Sequence, residues 1–172
     1  MQAFSTYAFF TRRTLWLIAI ALVVSLSACD DDEVCEEATA NNLRVGFYPE
    51  GQEGEPFWTT IDSLMVHSLE KPDDPVHDTL YAVSSLELPL NIHADSSAFV
   101  FDFFHTQDTL WLHYARETHL ISVECGFTVF FDLLDTDHTN HHITGLHLEV
   151  PEVTNSLDEH IQIFVPDTIP GN

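Results

Sequence analysis

Residues 98–104 read Ala-Phe-Val-Phe-Asp-Phe-Phe, and this stretch decides the fold class. Phe99, Phe101 and Phe103 occupy every second position, the spacing that places side chains on one face of a β-strand. The same period of two recurs in residues 110–114, 146–150 and 161–165. Further candidate strands are 43–48, 61–67, 79–84, 86–92, 118–124 and 127–134.

About ten short runs of this kind, separated by turn-forming clusters, indicate an all-β protein. We expect a single antiparallel β-sandwich, of which an immunoglobulin-like arrangement is one form, and a closed barrel is the alternative. Loops are predicted at 49–56, at 71–75 and around 95–97, where Pro, Gly, Asp and Ser accumulate. Pro89 lacks a backbone NH, so its strand is expected at a sheet edge or at a bulge.

The first 28 residues have the organisation of a secretory signal. Arg12 and Arg13 precede an unbroken apolar run of ten residues, 15–24, which as a helix spans about 15 Å and is too short to cross a bilayer. The run leads into Leu-Ser-Ala-Cys at positions 26–29, which resembles a bacterial lipobox. The resemblance implies cleavage before Cys29, diacylation of its thiol and acylation of its new amine.

The acids at 30–33 follow the lipidated cysteine directly and are expected to form an extended tether. Acids at this place resemble a surface-export signal of some Gram-negative groups, whereas aspartate next to the cysteine suggests inner-membrane retention in enteric-type sorting. We expect an outer-membrane lipid anchor at the cell surface, with a periplasm-facing position as the alternative.

Cys35 and Cys125 remain once lipid occupies Cys29. An exported chain with two cysteines favours a disulfide, while two buried thiols or a metal pair are the alternatives. If the disulfide forms, only five residues separate the lipidated Cys29 from Cys35, and a fully extended segment of that length reaches about 17 Å. The domain would then lie close to the bilayer.

The composition excludes several classes of function. The formal net charge is -23, with 28 acidic and 5 basic residues, so a phosphate backbone would be repelled and nucleic-acid binding is not expected. Hydrophobic residues make up 45% of the chain, which opposes disorder over most of its length.

One candidate site combines acids and histidines. Aspartates are hard oxygen ligands for calcium, and neutral imidazoles bind zinc, so one segment is a candidate site for a divalent metal. The segment does not follow an EF-hand pattern or a zinc signature. The competing interpretation is a solvated polar loop. The candidate ligands are Asp132, Asp135, Asp137, His138, His141 and His142.

Aromatic side chains form the second candidate, because flat rings stack on sugars or on a protein partner. Tyr48 and Trp58 are the preferred contact residues, since Trp58 follows a Pro- and Gly-rich loop, and Trp111 and Tyr114 are further candidates. Packing in the core is the competing interpretation. No nucleophile elbow, phosphate loop, His-Glu-x-x-His or Gly-rich cofactor loop is present, so we expect no enzyme and no cofactor beyond calcium or zinc.

The body of the chain resembles a family of small bacterial lipoproteins that is classed only as a domain of unknown function. The resemblance rests on Cys35 in its acidic tether and on the motifs at 46–48, 88–91, 108–110 and 121–127, and it covers most of residues 35–165. It implies the pairing of Cys35 with Cys125 and assigns no activity or substrate.

The expected organisation is a signal peptide at 1–28, a lipidated acidic tether at 29–34, a β-sandwich at 35–166 and a loose tail at 167–172. The expected function is that of a non-catalytic, lipid-anchored cell-envelope protein, an accessory or protein-interaction module. Its partners would be the membrane and an envelope protein. The alternative is a module that binds a divalent metal or a glycan at the cell surface.

Overall fold

The computed structural model describes residues 41–51, 58–123 and 125–166. These residues all belong to the second of two compact units, Met1–Val34 and Cys35–Asn172. The predicted signal peptide, the lipidated Cys29, the tether, Cys35 and the C-terminal tail lie outside the described residues.

The described chain contains ten strands and no helix. Their bounds are β1 Asn42–Pro49, β2 Ile61–Ser68, β3 Lys71–Val83, β4 Ser85–Pro89, β5 Ser96–Asp102, β6 Gln107–Ser122, β7 Gly126–His138, β8 Gly145–Leu148, β9 Glu152–Val153 and β10 Ile161–Val165.

Two sheets pack together as a β-sandwich, so the predicted fold class is confirmed. The smaller sheet has the order β4-β1-β10-β8 and the larger has the order β3-β2-β5-β6-β7-β9. Pairing is antiparallel except between β1 and β10, the first and last described strands, which run parallel. The separate sheets exclude the alternative of one closed barrel, while an immunoglobulin-like arrangement stays a prediction.

The core lies between the sheets and follows the alternation seen in the sequence. Phe99 and Phe101 of β5 are buried, as is Phe103 directly after the strand, and so are the apolar residues at 110, 112 and 114 of β6. The ring of Phe47 in the small sheet meets that of Phe101 in the large sheet edge-to-face, with centroids 6.4 Å apart. Contacts of this kind join the two layers, and each buried ring contributes roughly 1.5–3 kcal/mol of burial free energy.

The loop predicted at residues 71–75 was wrong, and the loop predicted around residues 95–97 lies slightly earlier, at 92–95. Residues 71–75 begin β3 instead of forming a loop, and the strand tolerates Pro72 and Pro75 because β3 is the outermost strand of the large sheet. Ser96 and Ser97 likewise belong to β5, where they pair with β6. Pro89 ends β4 at the edge of the small sheet, as predicted.

The β6–β7 hairpin is longer than the sequence indicates. The predicted strands at 110–114 and 118–124 are parts of one 16-residue strand, β6, which pairs with the 13 residues of β7. The pairing of β6 with β7 shifts register between His113 and Tyr114, which leaves Leu134 of β7 without a register partner. The faces to which successive β7 side chains point are therefore exchanged beyond Leu134.

Candidate functional site

The three predicted metal-binding aspartates lie in strand β7, which extends to His138, four residues beyond the predicted strand at 127–134. Asp132, Asp135 and Asp137 are all exposed. Asp135 and Asp137 pair with His113 and Trp111 of β6, and this ladder holds the segment extended. Carboxylates two positions apart on a strand share a face without converging.

The three predicted histidines have different environments. His138 lies at the end of β7, where its Nδ1 is 2.7 Å from the carbonyl oxygen of Thr139. His141 is exposed, whereas the half-buried ring of His142 packs on Phe103 with centroids 4.4 Å apart. Burial lowers the pKa of His142 below its ordinary value. Across residues 41–51, 58–123 and 125–166, no three His, Cys, Asp or Glu side chains are arranged to hold a metal ion.

A buried carboxylate organises the loop that carries these histidines. The side chain of Asp108, at the start of β6, has no exposed surface. Its Oδ1 accepts hydrogen bonds from the Thr139 hydroxyl at 2.6 Å and from the His141 backbone NH at 2.9 Å. Its Oδ2 accepts from the backbone NH groups of His142 and Ile143 at 2.6 and 2.8 Å. The loop is therefore folded around one charge.

The hydrogen bonds to Asp108 also fix its ionisation. Burial alone raises the pKa of this carboxyl, but the hydrogen bonds from Thr139 and the three backbone NH groups outweigh burial and lower the pKa from 3.8 to about 2. Asp78 in β3 accepts a hydrogen bond from the backbone NH of the adjacent Thr79 at 2.8 Å. Asp108 instead bonds to residues more than 30 positions away, which local pattern does not reveal.

The structure brings together the two predicted aromatic contact residues. The indole Nε1 of Trp58 donates to the Tyr48 hydroxyl at 3.1 Å, and that hydroxyl donates to Glu159 Oε1 at 2.7 Å. Trp58 is 67% exposed, but Tyr48 is buried, so the prediction of Tyr48 as a surface contact was wrong. The Tyr48 ring packs on Phe164 in the next strand of the small sheet.

The Tyr48 hydroxyl is held in its neutral form. Burial, together with the Glu159 carboxylate, raises the pKa of Tyr48 to about 12. Glu159 reaches Tyr48 by lying directly over Gly46, where a Cβ atom would overlap the carboxylate. The absence of a side chain at Gly46 is therefore required for this arrangement. Of the other candidates, Tyr114 is buried and Trp111 is half-buried.

One shallow cleft is lined by two exposed aromatic residues that were not among the predicted site residues. Tyr81 of β3 and Phe104 of the β5–β6 turn are each 75% exposed. They lie on a cleft of about 590 Å³ on the large sheet, together with Asp62, Asp102 and Thr79 among others. Phe104 also borders an adjoining depression of about 380 Å³ that contains His142.

Unusual backbone geometry accompanies both rings. Phe104 has a φ of 73°, and Ala82, which follows Tyr81, has a φ of 51°, and these are the two non-glycine residues with positive φ in the described chain. Such conformations are unfavourable for residues with a Cβ atom and often occur at functional sites. Asp102 helps to hold the first of them, because its Oδ1 accepts from the Phe104 NH at 2.9 Å and its Oδ2 from Gln107 at 2.8 Å.

The predicted disulfide partner Cys125 lies in the turn between β6 and β7, where its backbone NH donates to the Ser122 hydroxyl at 3.0 Å. Cys35 is outside the described residues, so the pairing stays a prediction. The same holds for the lipid on Cys29. No helix of the described residues is long and apolar enough to cross a membrane.

The fold and these sites define the class: a two-sheet β-sandwich with an aromatic cleft on its larger sheet. In a comparison with known protein families, the model of DUF6452, a family of unknown function, matches residues 63–165. The chain therefore belongs to that family, which agrees with the resemblance seen in the sequence. No curated protein and no solved structure matches the chain.

Proposed function

We propose that this protein is a non-catalytic, lipid-anchored module of the cell envelope that binds an envelope protein through the cleft between Tyr81 and Phe104. The anchor is supported by the signal-like N-terminus and by Leu-Ser-Ala-Cys at 26–29. An outer-membrane position at the cell surface is the form that the acids at 30–33 favour. The Cys35–Cys125 disulfide is part of the same proposal, and mass analysis without and with reductant tests it.

One observation carries the binding role. Tyr81 and Phe104 are exposed on the same cleft, and each adjoins or occupies a strained backbone position. Folding alone would favour burying such rings or replacing them, because exposed aromatics gain no burial energy and positive φ is costly. Rings held in this way are suited to contact a partner, since aromatic side chains supply large contact area with few rotatable bonds.

The charge of the cleft indicates the chemistry of that partner. Asp62 and Asp102 are the charged groups among its lining residues. A complementary surface would therefore be neutral or basic and would present an apolar group to the rings. We expect a protein surface with Lys or Arg around an apolar centre.

Crosslinking in intact cells tests this function. A photoreactive phenylalanine in place of Phe104 should capture a discrete envelope protein, and the variant Tyr81→Thr/Phe104→Asn should abolish its co-purification. Asparagine suits the positive φ at 104 better than most residues, so this variant removes the ring without adding strain. Leu157→Ser, at a side chain that is 77% exposed but outside the cleft, is the matched control. Unchanged co-purification with the cleft variant would contradict the proposal.

A neutral glycan is the second candidate for the same cleft. Two exposed rings beside the hydroxyls of Ser63 and Thr79 and the acids Asp62 and Asp102 match the stacking and hydrogen-bonding needs of a sugar. Retarded migration in gels that contain a neutral polysaccharide, lost in Tyr81→Thr, would favour this ligand over a protein.

A divalent metal at the exposed carboxylates of β7 is a further proposal. Asp135 and Asp137 are exposed two positions apart on that strand and are the predicted ligands that a double substitution removes. Thermal unfolding in chelator, then with calcium or zinc, tests it. A saturable rise in melting temperature that disappears in Asp135→Ala/Asp137→Ala would support a metal site. The absence of an enzymatic activity is likewise a proposal, which a screen of hydrolase substrates would test.

A further inference from the structure

The end of the β6–β7 hairpin carries apolar side chains that are exposed to solvent. Leu120 is 58%, Val123 is 88% and Phe127 is 71% exposed. Leu120 and Phe127 are direct register partners, so their side chains lie together on one face, and Val123 lies in the turn beyond them. We call these three residues the hairpin tip.

The chain that leads to the N-terminus departs beside the hairpin tip. Asn41, the first described residue, is buried, and its Nδ2 donates to the Thr128 hydroxyl at 2.9 Å and to the Val129 carbonyl at 2.7 Å. Thr128 directly follows Phe127 of the tip. The start of the described domain is therefore fastened to β7 within two residues of the tip.

The length of the preceding chain limits how far the tip lies from the proposed lipid. Eleven residues, 30–40, lie between Cys29 and Asn41, which allows a reach of at most about 40 Å when the chain is fully extended. Since the attachment point of this segment adjoins Phe127, a lipid on Cys29 favours orientations in which this end of the sandwich lies nearest the bilayer.

We propose that the hairpin tip inserts into the surface of the membrane that holds the lipid anchor, so that the domain is oriented on the bilayer as well as attached to it. This inference rests on the proposed lipid anchor. The tip offers its apolar side chains to the boundary between headgroups and acyl chains, where partial insertion of such residues is favourable.

The charge around the tip indicates how the contact forms. Residues 120–127 contain no Lys or Arg and one acid, Glu124, and the neighbouring Glu117 is also acidic. Attraction to anionic headgroups therefore contributes little, and the contact depends on apolar burial. We expect it to persist at high salt, where interactions between exposed charges are screened.

Photocrosslinking of the full chain in a Gram-negative host tests the orientation. A photoreactive phenylalanine replaces Phe127, and in the control it replaces Leu134, which is 65% exposed on the same strand. Seven residues of strand separate the two positions by about 24 Å. We expect intact-mass analysis to show a yield of phospholipid adduct at position 127 that is at least tenfold higher than at position 134. The yield at position 127 should be unchanged at high salt.

Equal adduct yields at the two positions, or capture of a protein instead of lipid at position 127, would overturn the inference. Labelling with radioactive palmitate, in the full chain and in Cys29→Ser, distinguishes this failure from failure of the anchor. Palmitate incorporation that depends on Cys29, without a lipid adduct at position 127, means that the chain is anchored but the tip does not touch the membrane. Absence of incorporation refutes the anchor and the tip contact together.

Discussion

Replacing Asp108 by asparagine removes the charge around which residues 139–143 fold while keeping the size of the side chain. The carboxylate has no exposed surface and accepts four hydrogen bonds, from the Thr139 hydroxyl and the backbone NH groups of His141, His142 and Ile143, at 2.6–2.9 Å. The Nδ1 atom of His141 also lies 3.1 Å from the Asp108 Oδ1. An amide offers one oxygen and one NH₂ group, so its NH₂ group must face at least one backbone NH donor that the carboxylate had satisfied. We expect Asp108→Asn to weaken the anchoring of the loop without removing any apolar contact.

Two estimates of the magnitude agree. A buried donor that loses its acceptor costs about 1–3 kcal/mol, and the remaining bonds lose the benefit of the charge. The same hydrogen bonds lower the pKa of Asp108 from 3.8 to about 2 on folding, which corresponds to about 2 kcal/mol in favour of the ionised carboxyl over a neutral one. We therefore expect Asp108→Asn to reduce the free energy of unfolding by about 2–3 kcal/mol.

Urea unfolding at neutral pH measures this loss, and amide hydrogen exchange shows whether the NH groups of His142 and Ile143 lose protection. Asp78→Asn is the matched control, because Asp78 is exposed and bonds to the adjacent Thr79. We expect the control to change stability by less than about 0.5 kcal/mol. The sign of the pH dependence follows from the lowered pKa: the stabilisation is present above pH 3.8 and is lost as the pH falls toward 2. This part of the acid unfolding should be missing in Asp108→Asn.

A loss of stability in Asp108→Asn no larger than in Asp78→Asn would refute the reasoning. So would unchanged exchange protection of the His142 and Ile143 amides. Either result would mean that other contacts fold the loop.

The remaining predictions concern Gly46 and His160. Gly46→Ala should lower the free energy of unfolding by about 1–3 kcal/mol, because the new Cβ displaces Glu159 from Tyr48. An absorbance titration tests this cause, since the pKa of Tyr48 should then return from about 12 toward 10. His160 is buried, and burial lowers its pKa, so its contribution to stability is complete above pH 6.5 and declines as the pH falls below that value. In His160→Asn, the Oδ1 atom can replace the Nδ1 that accepts a hydrogen bond from the Arg44 NH at 2.9 Å. We therefore expect the free energy of unfolding to fall less between pH 7.5 and pH 5 in this variant than in the unmodified chain. An identical pH dependence in the two proteins would rule out this role of His160.

Alternation in the sequence was sufficient for the fold class and for much of the core. Phe99, Phe101 and Phe103 predict one buried face of a strand, and all three are buried. The same reasoning failed at residues 71–75, since turn-forming residues are tolerated on an outermost strand whose free edge needs no partner. Local pattern does not state which strand is outermost.

The candidate sites were predictable only in part. The pairing of Tyr48 with Trp58 joins two residues that the sequence selected, although Tyr48 lies inside the structure and not on its surface. Tyr81 and Phe104 carry no distinguishing signal in the sequence, because an aromatic residue in a strand or a turn is usually buried. Each lies at or beside a residue with positive φ, and side-chain pattern does not encode that backbone geometry.

The sequence by itself determined the β character, the acidic surface and the predicted lipid attachment, because each depends on the composition or spacing of adjacent residues. Only the tertiary structure decided that Asp108 folds a loop more than 30 residues away, that Glu159 rests over Gly46, and that the chain from Cys29 joins the domain beside Phe127. These are contacts between segments distant in the chain. Their formation depends on strand order and register, which arise from the packing of the two sheets as a whole.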